Sequence, residues 1–478
     1  MEVPVGGWVA PLLGLLEGVR LELLLFAGFW FIVGALDELG IDLAWLWLRL
    51  TGRIKRRSLP APLPTDLRGP IALFVPAWQE ARVIAPMLRH ALTVWPHEDL
   101  AVFAGCYPND DATARAIEIG ANGDARVRRI VNPQDGPTTK GDMLNALYRA
   151  MQSEEAGSGR RFRAVLLHDA EDLVHPDALS LIDRALDDAD FVQIPVRPEP
   201  QLRSTWIAGH YADEFTEAHA REMVVRDRLG AGIPAAGVGC AFGRDALERV
   251  ARQRSGEAGG APFEPTAMTE DYELGMTIGR RGAHGDGKGG VFLRVRDAEG
   301  HLVATRAYFP TTLDAAVRQK SRWIQGIAFD GWDRLGWGGG ATETWMRLRD
   351  RRGPLVAMVL LAAYLLIVVT AVLWVSDAAG IHDARPLPPL VYWLLIGTTA
   401  FFVYRAAARF VLVGREYGWA EGFAAVLRIP IANVIAIVAA RRALFRYVAG
   451  LLGRPQGWEK TEHDRHPVQL SEIGRDPA

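Results

Sequence analysis

Along this chain the apolar positions fall into two regimes. At both ends they run nearly uninterrupted, whereas in the centre short apolar runs alternate with amphipathic stretches. Residues 355–375 carry no charge and are bounded by Arg351 and Arg352 on one side and Asp377 on the other. About 20 such residues cross a ~30 Å hydrocarbon core as a helix. Residues 387–404 form a second candidate span, closed by Arg405 and Arg409. The N-terminal candidate is uncharged only over residues 23–36. A span starting near Leu13 requires Glu17, Arg20 and Glu22 to reach the outer interface. No basic segment precedes it, which argues against a secretory signal. A fourth block, residues 429–440, is interrupted by Arg428 and Pro430 and followed by Arg441, Arg442 and Arg446; these charges suit an interfacial or re-entrant helix.

Between these blocks the pattern changes. Residues 71–75, 100–106, 127–131 and 164–167 read as strands, and residues 79–94, 111–119 and 140–151 as the helices that connect them. Such alternation predicts an α/β domain with a mostly parallel, Rossmann-like sheet and right-handed crossovers. Pro60, Pro62 and Pro64 form a stiff linker ahead of it. The Gly/Ser-rich loop 253–261 is expected to be mobile, and 336–340 is a hinge toward the membrane. The expected organisation is an N-terminal anchor (1–57), a catalytic domain (58–340), transmembrane and interfacial helices (341–450) and a tail (451–478). Basic residues (Arg49, Arg53, Lys55, Arg56, Arg57, then Arg347, Arg349, Arg351, Arg352) flank the central domain on both sides. By the positive-inside rule, that domain faces the cytoplasm.

Composition narrows the class. A formal charge of −2 excludes a global basic field for nucleic acid, and two isolated cysteines, Cys106 and Cys240, form neither a disulfide framework nor a zinc site. In open parallel folds ligands bind at the carboxyl ends of the strands, and the polar clusters fall there: Gln79-Glu80, Asn109-Asp110-Asp111 and Asp169 to Asp172. Asp169 and Glu171, two apart on an extended segment, point to one side and can share a hard cation, Mg²⁺ or Mn²⁺; an acidic surface turn is the plainer alternative. Thr269-Glu270-Asp271 opens a helix, either as a simple acidic N-terminus or with Asp271 as a general base. Lys140 at a strand-to-helix junction suits phosphate or solvent equally. The basic stretch 318–323 meets lipid headgroups or a diphosphate.

The order of these elements is more specific than any one of them. Glu80, Asp110, Lys140-Gly141, Asp169-x-Glu171, Thr269-Glu270-Asp271 and Gln319-x-x-Arg322-Trp323 follow one another. In this respect the chain resembles the family 2 inverting glycosyltransferases of GT-A fold, over about residues 63–332. Within that group it looks most like the bacterial inner-membrane enzymes of the phage adsorption protein B type, whose segments 74–80, 428–442 and 458–463 it shares in kind. The resemblance implies a multi-pass inner-membrane enzyme, secreted exopolysaccharide as product and a UDP-sugar donor, either a hexose or an N-acetylhexosamine.

It also implies roles. Glu80 and Asp110 would hold uridine, with Lys140 near the nucleotide. Asp169 and Glu171 would serve metal and diphosphate, and Asp271, beside Glu270, would be the base. Gln319, Arg322 and Trp323 would bind diphosphate and acceptor. Cys240 either cradles the acceptor or is a small core residue. The motif is D-x-E where the family has D-x-D, which leaves Glu171 and Asp172 as alternatives for the metal, and Asn109 stands where many relatives have aspartate. The regulatory domain that follows the tail in many relatives is expected to be absent after Ala478. Membrane lipids and an export protein are implied partners. Two rivals are a single-addition transferase acting on a lipid carrier and a non-enzymatic membrane scaffold or phage-entry protein.

Overall fold

The computed structural model describes residues 8–54, 57–59, 63, 66–254, 260–280, 287–382, 386–453 and 466–467. The Pro60, Pro62 and Pro64 linker, Lys55, Arg56, most of the 253–261 loop and the 458–463 segment lie outside them. The central sheet grows from the strands expected: β1 (Ile71–Pro76), β2 (Leu100–Cys106), β3 (Val127–Val131) and β4 (Ala164–Leu167). β5 (Phe191–Gln193), β6 (Cys240–Gly243) and β7 (Gly290–Phe292) extend it to seven strands, in the order β3-β2-β1-β4-β6-β5-β7. β6 alone is antiparallel, pairing Leu167 with Cys240 and Gln193 with Cys240 on its two sides. The chain leaves β1 toward β2 and β3, then returns to place β4 on the other side of β1. The carboxyl ends of β1 and β4 therefore open onto one crevice.

Helices cover both faces. The face holding Ile71, Leu73, Val102 and Leu166 buries α2 (Ile84–Val94) and α3 (Asp111–Ala121), and the face holding Phe74, Phe103 and Val165 buries α4 (Lys140–Ser158). α2 starts five residues later than the hydrophobic pattern suggests. Gln79 adopts a left-handed conformation (φ 55°), held by its N–H donating to Asp110 Oδ2 at 2.5 Å, and this delays the helix. Behind β4 comes α5 (Ala178–Ala185), and the second half contributes α6 (Gly209–Glu217), α7 (Met223–Arg228), α8 (Arg244–Gln253) and α9 (Glu270–Gly279).

Among the described residues, three helices are long and apolar enough to cross a membrane. One is α1 (Val9–Leu50); the other two follow α10 (Leu313–Ile324), α11 (Gly331–Leu335) and α12 (Ala341–Arg351), as α13 (Gly353–Ala378) and α14 (Pro389–Tyr417). α1 is one continuous 42-residue helix, longer than the expected anchor. Its contact with α14 is close: a Cβ on Gly28 would lie 3.3 Å from Leu394, and one on Gly397 would lie 3.1 Å from Ile32. Two ionic clusters mark α1. Glu17 lies 3.1 Å from His382 in the α13–α14 connection and 3.8 Å from Arg20. Asp37, Glu38 and Asp42 gather Arg349, Arg352, Arg221 and Arg405. At 1.5 Å per residue the two clusters stand ~30 Å apart, one hydrocarbon thickness.

α15 (Trp419–Leu427) and α16 (Ile429–Leu451) meet at a 51° bend. The bend is at Arg428, whose guanidinium is buried in a bidentate pair with Asp213 of α6 (2.7 and 2.8 Å) and bonds Glu421 at 2.9 Å. At the other end of α16, Tyr447 donates to Asp333 of α11 at 2.7 Å and stacks on Phe329. Both ends of α16 are thus fastened to the same domain, and between them Ile435 and Ala439 pack on Ala316 and Val317 of α10. α16 lies along that domain.

Arg349 is the centre of the inner cluster, bonding Asp37, Glu38 and Glu222 from an almost fully buried position. Removing one member of a buried charge network leaves the others uncompensated, at a cost of about 3 kcal/mol. Arg349→Ala is expected to lower the unfolding midpoint in detergent well below that of Arg318→Ala, whose ion pair with Asp314 is exposed. Equal midpoints would show that the cluster is not what joins helix and domain.

Candidate active site

Each polar residue of the crevice is delivered by the end of a regular element. β1 ends at Pro76 and turns through Trp78 to Glu80, whose N–H donates to Thr113 Oγ1 at 2.9 Å. α4 begins at Lys140 behind a capping box in which Thr139 and Asp142 bond each other's backbone N–H. Gly141 is required there, since a Cβ would lie 2.7 Å from the Glu264 carbonyl. β4 runs directly into the Asp169–Asp172 turn. α9 begins at Glu270, so Glu270 and Asp271 occupy its first turn, where the helix dipole favours negative charge.

These elements converge on Lys140. Its Nζ bonds Asp169 Oδ1 at 2.6 Å. Although burial opposes the charge, Asp169, Glu270 and Asp271 together raise the lysine's pKa well above normal. The reciprocal effect is visible on the acids. Burial pushes Glu270 upward, with Asp271 adding to the shift and Lys140 opposing it, and burial likewise pushes Asp271 upward against Lys140. Asp271 is also gripped from the β5–β6 side: Gly237 has φ 76°, and a Cβ there would overlap Asp271 Oδ2. Only glycine takes this backbone conformation so close to a carboxylate.

The turn itself settles how its acids are used. Asp172 is fully buried; its Oδ2 accepts from His168 Nδ1 at 2.7 Å and from the Asp169 N–H at 2.9 Å. It staples the turn, and Asp169, Glu171 and Asp172 all line the crevice. The opposite wall is α10, presenting Gln319, Arg322 and Trp323, with Phe309, Phe215 and Ile327 alongside. Gln319 Oε1 is buried there without a hydrogen-bond partner. The crevice encloses about 410 Å³.

Of the residues singled out in the sequence, Glu80, Lys140, Asp169, Glu171, Glu270, Asp271, Gln319, Arg322 and Trp323 surround this one space. Asp110 stands behind its wall, with both carboxylate oxygens accepting backbone N–H groups, from Gln79 and from Thr113 as the N-cap of α3. Cys240 is fully buried within β6, behind Asp271, and burial raises its thiol pKa further. Sequence reasoning missed His219, which enters the crevice from a π-helical turn between α6 and α7; burial lowers its pKa to about 4, so the ring is neutral. Nothing in its sequence context distinguishes it. It missed Tyr308 and Phe309 as well, which no motif marks. Among the described residues one group of three has metal-ligand spacing, His175, Asp177 and Asp297. It lies outside the crevice, and His175 already accepts from the Asp177 N–H (3.2 Å) and faces Asp297 at 3.3 Å.

A mostly parallel sheet with acids, a half-buried lysine and an Arg–Trp helix around its switch point defines a glycosyltransferase of GT-A fold joined to helices long and apolar enough to span a membrane. The chain matches the profile described as "Glycosyltransferase like family 2" over residues 68–326. It belongs to that family. It is 32% identical over 483 aligned residues to bacteriophage adsorption protein B of Escherichia coli K12, an alignment covering 94% of this chain and 62% of that protein. The figures are the same for bacteriophage N4 adsorption protein B of Escherichia coli O157:H7. The chain thus spans about three-fifths of the length of these curated relatives. Among solved structures, the mannosyltransferase PcManGT from Pyrobaculum calidifontis, in complex with GDP-Man and Mn²⁺, shares the fold across 90% of this chain and 99% of its own, with a TM-score of 0.52 at 17% identity.

Proposed function

We propose that this glycosyltransferase transfers a hexose or N-acetylhexosamine from a UDP-sugar to a growing exopolysaccharide, with inversion at the anomeric carbon. The observation that carries the reading is the Lys140-centred cluster, which sets a half-buried cation and three acids at the mouth of the sheet.

In this reading Asp271 takes the proton from an acceptor hydroxyl as that oxygen forms its bond to the anomeric carbon. The bond from that carbon to the nucleoside diphosphate breaks, and the electron pair leaves with the diphosphate. Lys140 keeps Asp169, Glu270 and Asp271 close together and places positive charge beside the departing phosphates, while Arg322 does the same from α10. Burial raises the pKa of Glu270 to about 8, and Glu270 stands in the first turn of α9. Glu80 meets the uridine. Asp110 acts on the nucleotide through the Gln79 turn that it holds. Trp323, with Tyr308 and Phe309, offers aromatic faces to the acceptor sugar.

Asp169 and Glu171 offer an all-oxygen donor pair that fits a hard cation, and they would hold Mg²⁺ or Mn²⁺, which neutralises a leaving diphosphate. The fold neighbour's complex holds Mn²⁺ with GDP-Man. The surroundings of Cys240 support the core role over contact with acceptor. A second reading, addition of one sugar to a lipid carrier, is favoured by the packing of α10 directly on α16.

We further read residues 58–340 as a cytoplasmic catalytic domain at the bacterial inner membrane. Three crossings carry it, α16 lies on the cytoplasmic side, and lipid and an export protein are its partners. The inner charge cluster and the tethering of both ends of α16 support that topology.

Three outcomes test these statements. Asp271→Asn should lower transfer by ~10²–10⁴, the usual loss for a general base, with nucleotide binding retained. Because burial raises the Asp271 pKa and the base must be ionised, the parent's rate should fall on acidification through a limb lying above the ordinary aspartate value of about 3.9. Near-parent turnover in Asp271→Asn would remove Asp271 from the role, and product analysis with a panel of radiolabelled UDP-sugars separates polymer from single addition. Asp169→Ala and EDTA should each weaken UDP binding; identical titrations with and without Mn²⁺ would rule out the cation. A reporter fused after Gly453 should be active only in the cytoplasm, and periplasmic activity would make α15 and α16 a fourth crossing.

A further inference from the structure

Beyond the Asp169–Asp172 turn the chain runs extended before α5 begins. On one edge Leu173 exchanges both backbone hydrogen bonds with Arg306, at 2.7 and 3.0 Å. Further carbonyls of the segment meet ring N–H groups. His90 Nε2 of α2 donates to the Val174 carbonyl at 2.9 Å. Trp95 Nε1, just after α2, donates to the carbonyls of His175 and Pro176 at 3.0 and 3.1 Å. The first carbonyl of this segment is that of Asp172, and it too has a ring donor: His466 Nε2 at 3.1 Å, from 294 residues further along the chain. A carbonyl only accepts, so in each histidine Nε2 carries the proton.

His466 is completely buried, and Pro467 beside it is buried as well. Burying an imidazole is costly unless its N–H is used, and here the N–H is spent on the residue adjacent to Glu171. The same residue, Asp172, staples the turn through its carboxylate to His168 and to the Asp169 N–H. It is therefore held at both its carbonyl and its side chain. A second connection reaches the opposite wall. α16 packs behind α10, the helix that presents Gln319 and Arg322, and the chain that leaves α16 at Leu451 reaches His466 fifteen residues later.

We propose that His466 is a positioning residue for the donor site: the C-terminal segment clasps the back of the Asp169–Asp172 turn and fixes Asp169 and Glu171 for metal and diphosphate. The part concerning metal and diphosphate rests on the function proposed above. His466 then braces the acidic turn, while α16 braces α10 on the opposite wall of the crevice. Groups hydrogen-bonded directly to metal ligands typically change metal affinity by ~10–100-fold; His466 acts one residue further out, through Asp172, so the lower end of that range is expected.

The test uses the full chain in detergent, with Mn²⁺ plus UDP or GDP as probe. His466→Ala should speed amide hydrogen exchange in residues 168–177 and raise the Mn²⁺ concentration for half-maximal nucleotide binding by about tenfold or more, at parent membrane abundance. His466→Gln, whose amide can donate to the same carbonyl, should restore both; a role in packing alone would not be rescued this way. If His466→Ala fails to accumulate, a protease site placed within residues 454–465 lets the tail be cut after folding, and the cut protein should show the same two changes. Parent-like exchange and Mn²⁺ dependence in the variant or the cut protein would overturn the clasp. A parent that binds neither nucleotide with Mn²⁺ would instead overturn the functional reading, and the exchange result would still decide whether the clasp exists.

Discussion

The acids of the crevice are gathered around one half-buried ammonium group, that of Lys140. Burial raises the pKa values of Glu270 and Asp271, and a cation beside them opposes both shifts. Lys140 supplies that charge, and its position follows from elements that have nothing to do with chemistry. The Thr139–Asp142 capping box starts α4 at Lys140, and Gly141 lets the helix pass within contact distance of the Glu264 carbonyl. β4 and α9 then deliver their acids from opposite sides. The upward shifts of the acid pKa values reflect burial that the lysine only partly offsets. A carboxylate held in this state is a stronger proton acceptor than a solvated one.

The same electrostatic logic operates where domain meets membrane. Asp37, Glu38 and Asp42 lie just past the apolar part of α1, and each is matched by arginines from α12, α14 or the turn before α7. Tyr404 adds a hydrogen bond to Asp42 at 2.7 Å, and Trp345 one to Asp37 at 2.6 Å. Glu416 at the end of α14 gathers Arg294 and Arg296 from the sheet domain in the same way. Of the arginines that flank the spans, Arg347, Arg349, Arg352, Arg405 and Arg409 are ion-paired with protein carboxylates, and these pairs help fix how the central domain sits against its helices. Charges that in sequence serve only as membrane flanks become, in three dimensions, the joint between two parts of the enzyme.

What could be read from the chain was whatever has a local period or a local cause. The runs that became β1, β2 and β4 were visible because strands buried on both faces are continuously apolar, whereas β3, at the sheet edge, carries Arg128 and Arg129 between its apolar ends; α10 and α13 were visible because their patterns suit their surroundings. The later strands, β5 to β7, are three or four residues long and carry no pattern of their own; β6 even reverses direction. α1 was longer than its apolar stretch because the polar residues beyond Leu36 are paired by partners some 180 to 370 residues away, which no window along the chain can see.

The same division runs through the site. Sequence by itself determined which residue types reach the carboxyl edge of the sheet, and hence the class of chemistry, because turn and capping signals are local and strand ends follow from them. Only the tertiary structure decided which of those residues share a space. It gave Asp172 the bonds that staple the turn and set Asp169, Glu171 and Asp172 along one crevice. It moved Asp110 behind the wall and Cys240 into the core, brought His219 in, and set His466 against the back of the turn. The reason is that a side chain's role is set by what surrounds it once the chain has closed on itself, and neighbours separated by hundreds of residues leave no trace in either one's local sequence.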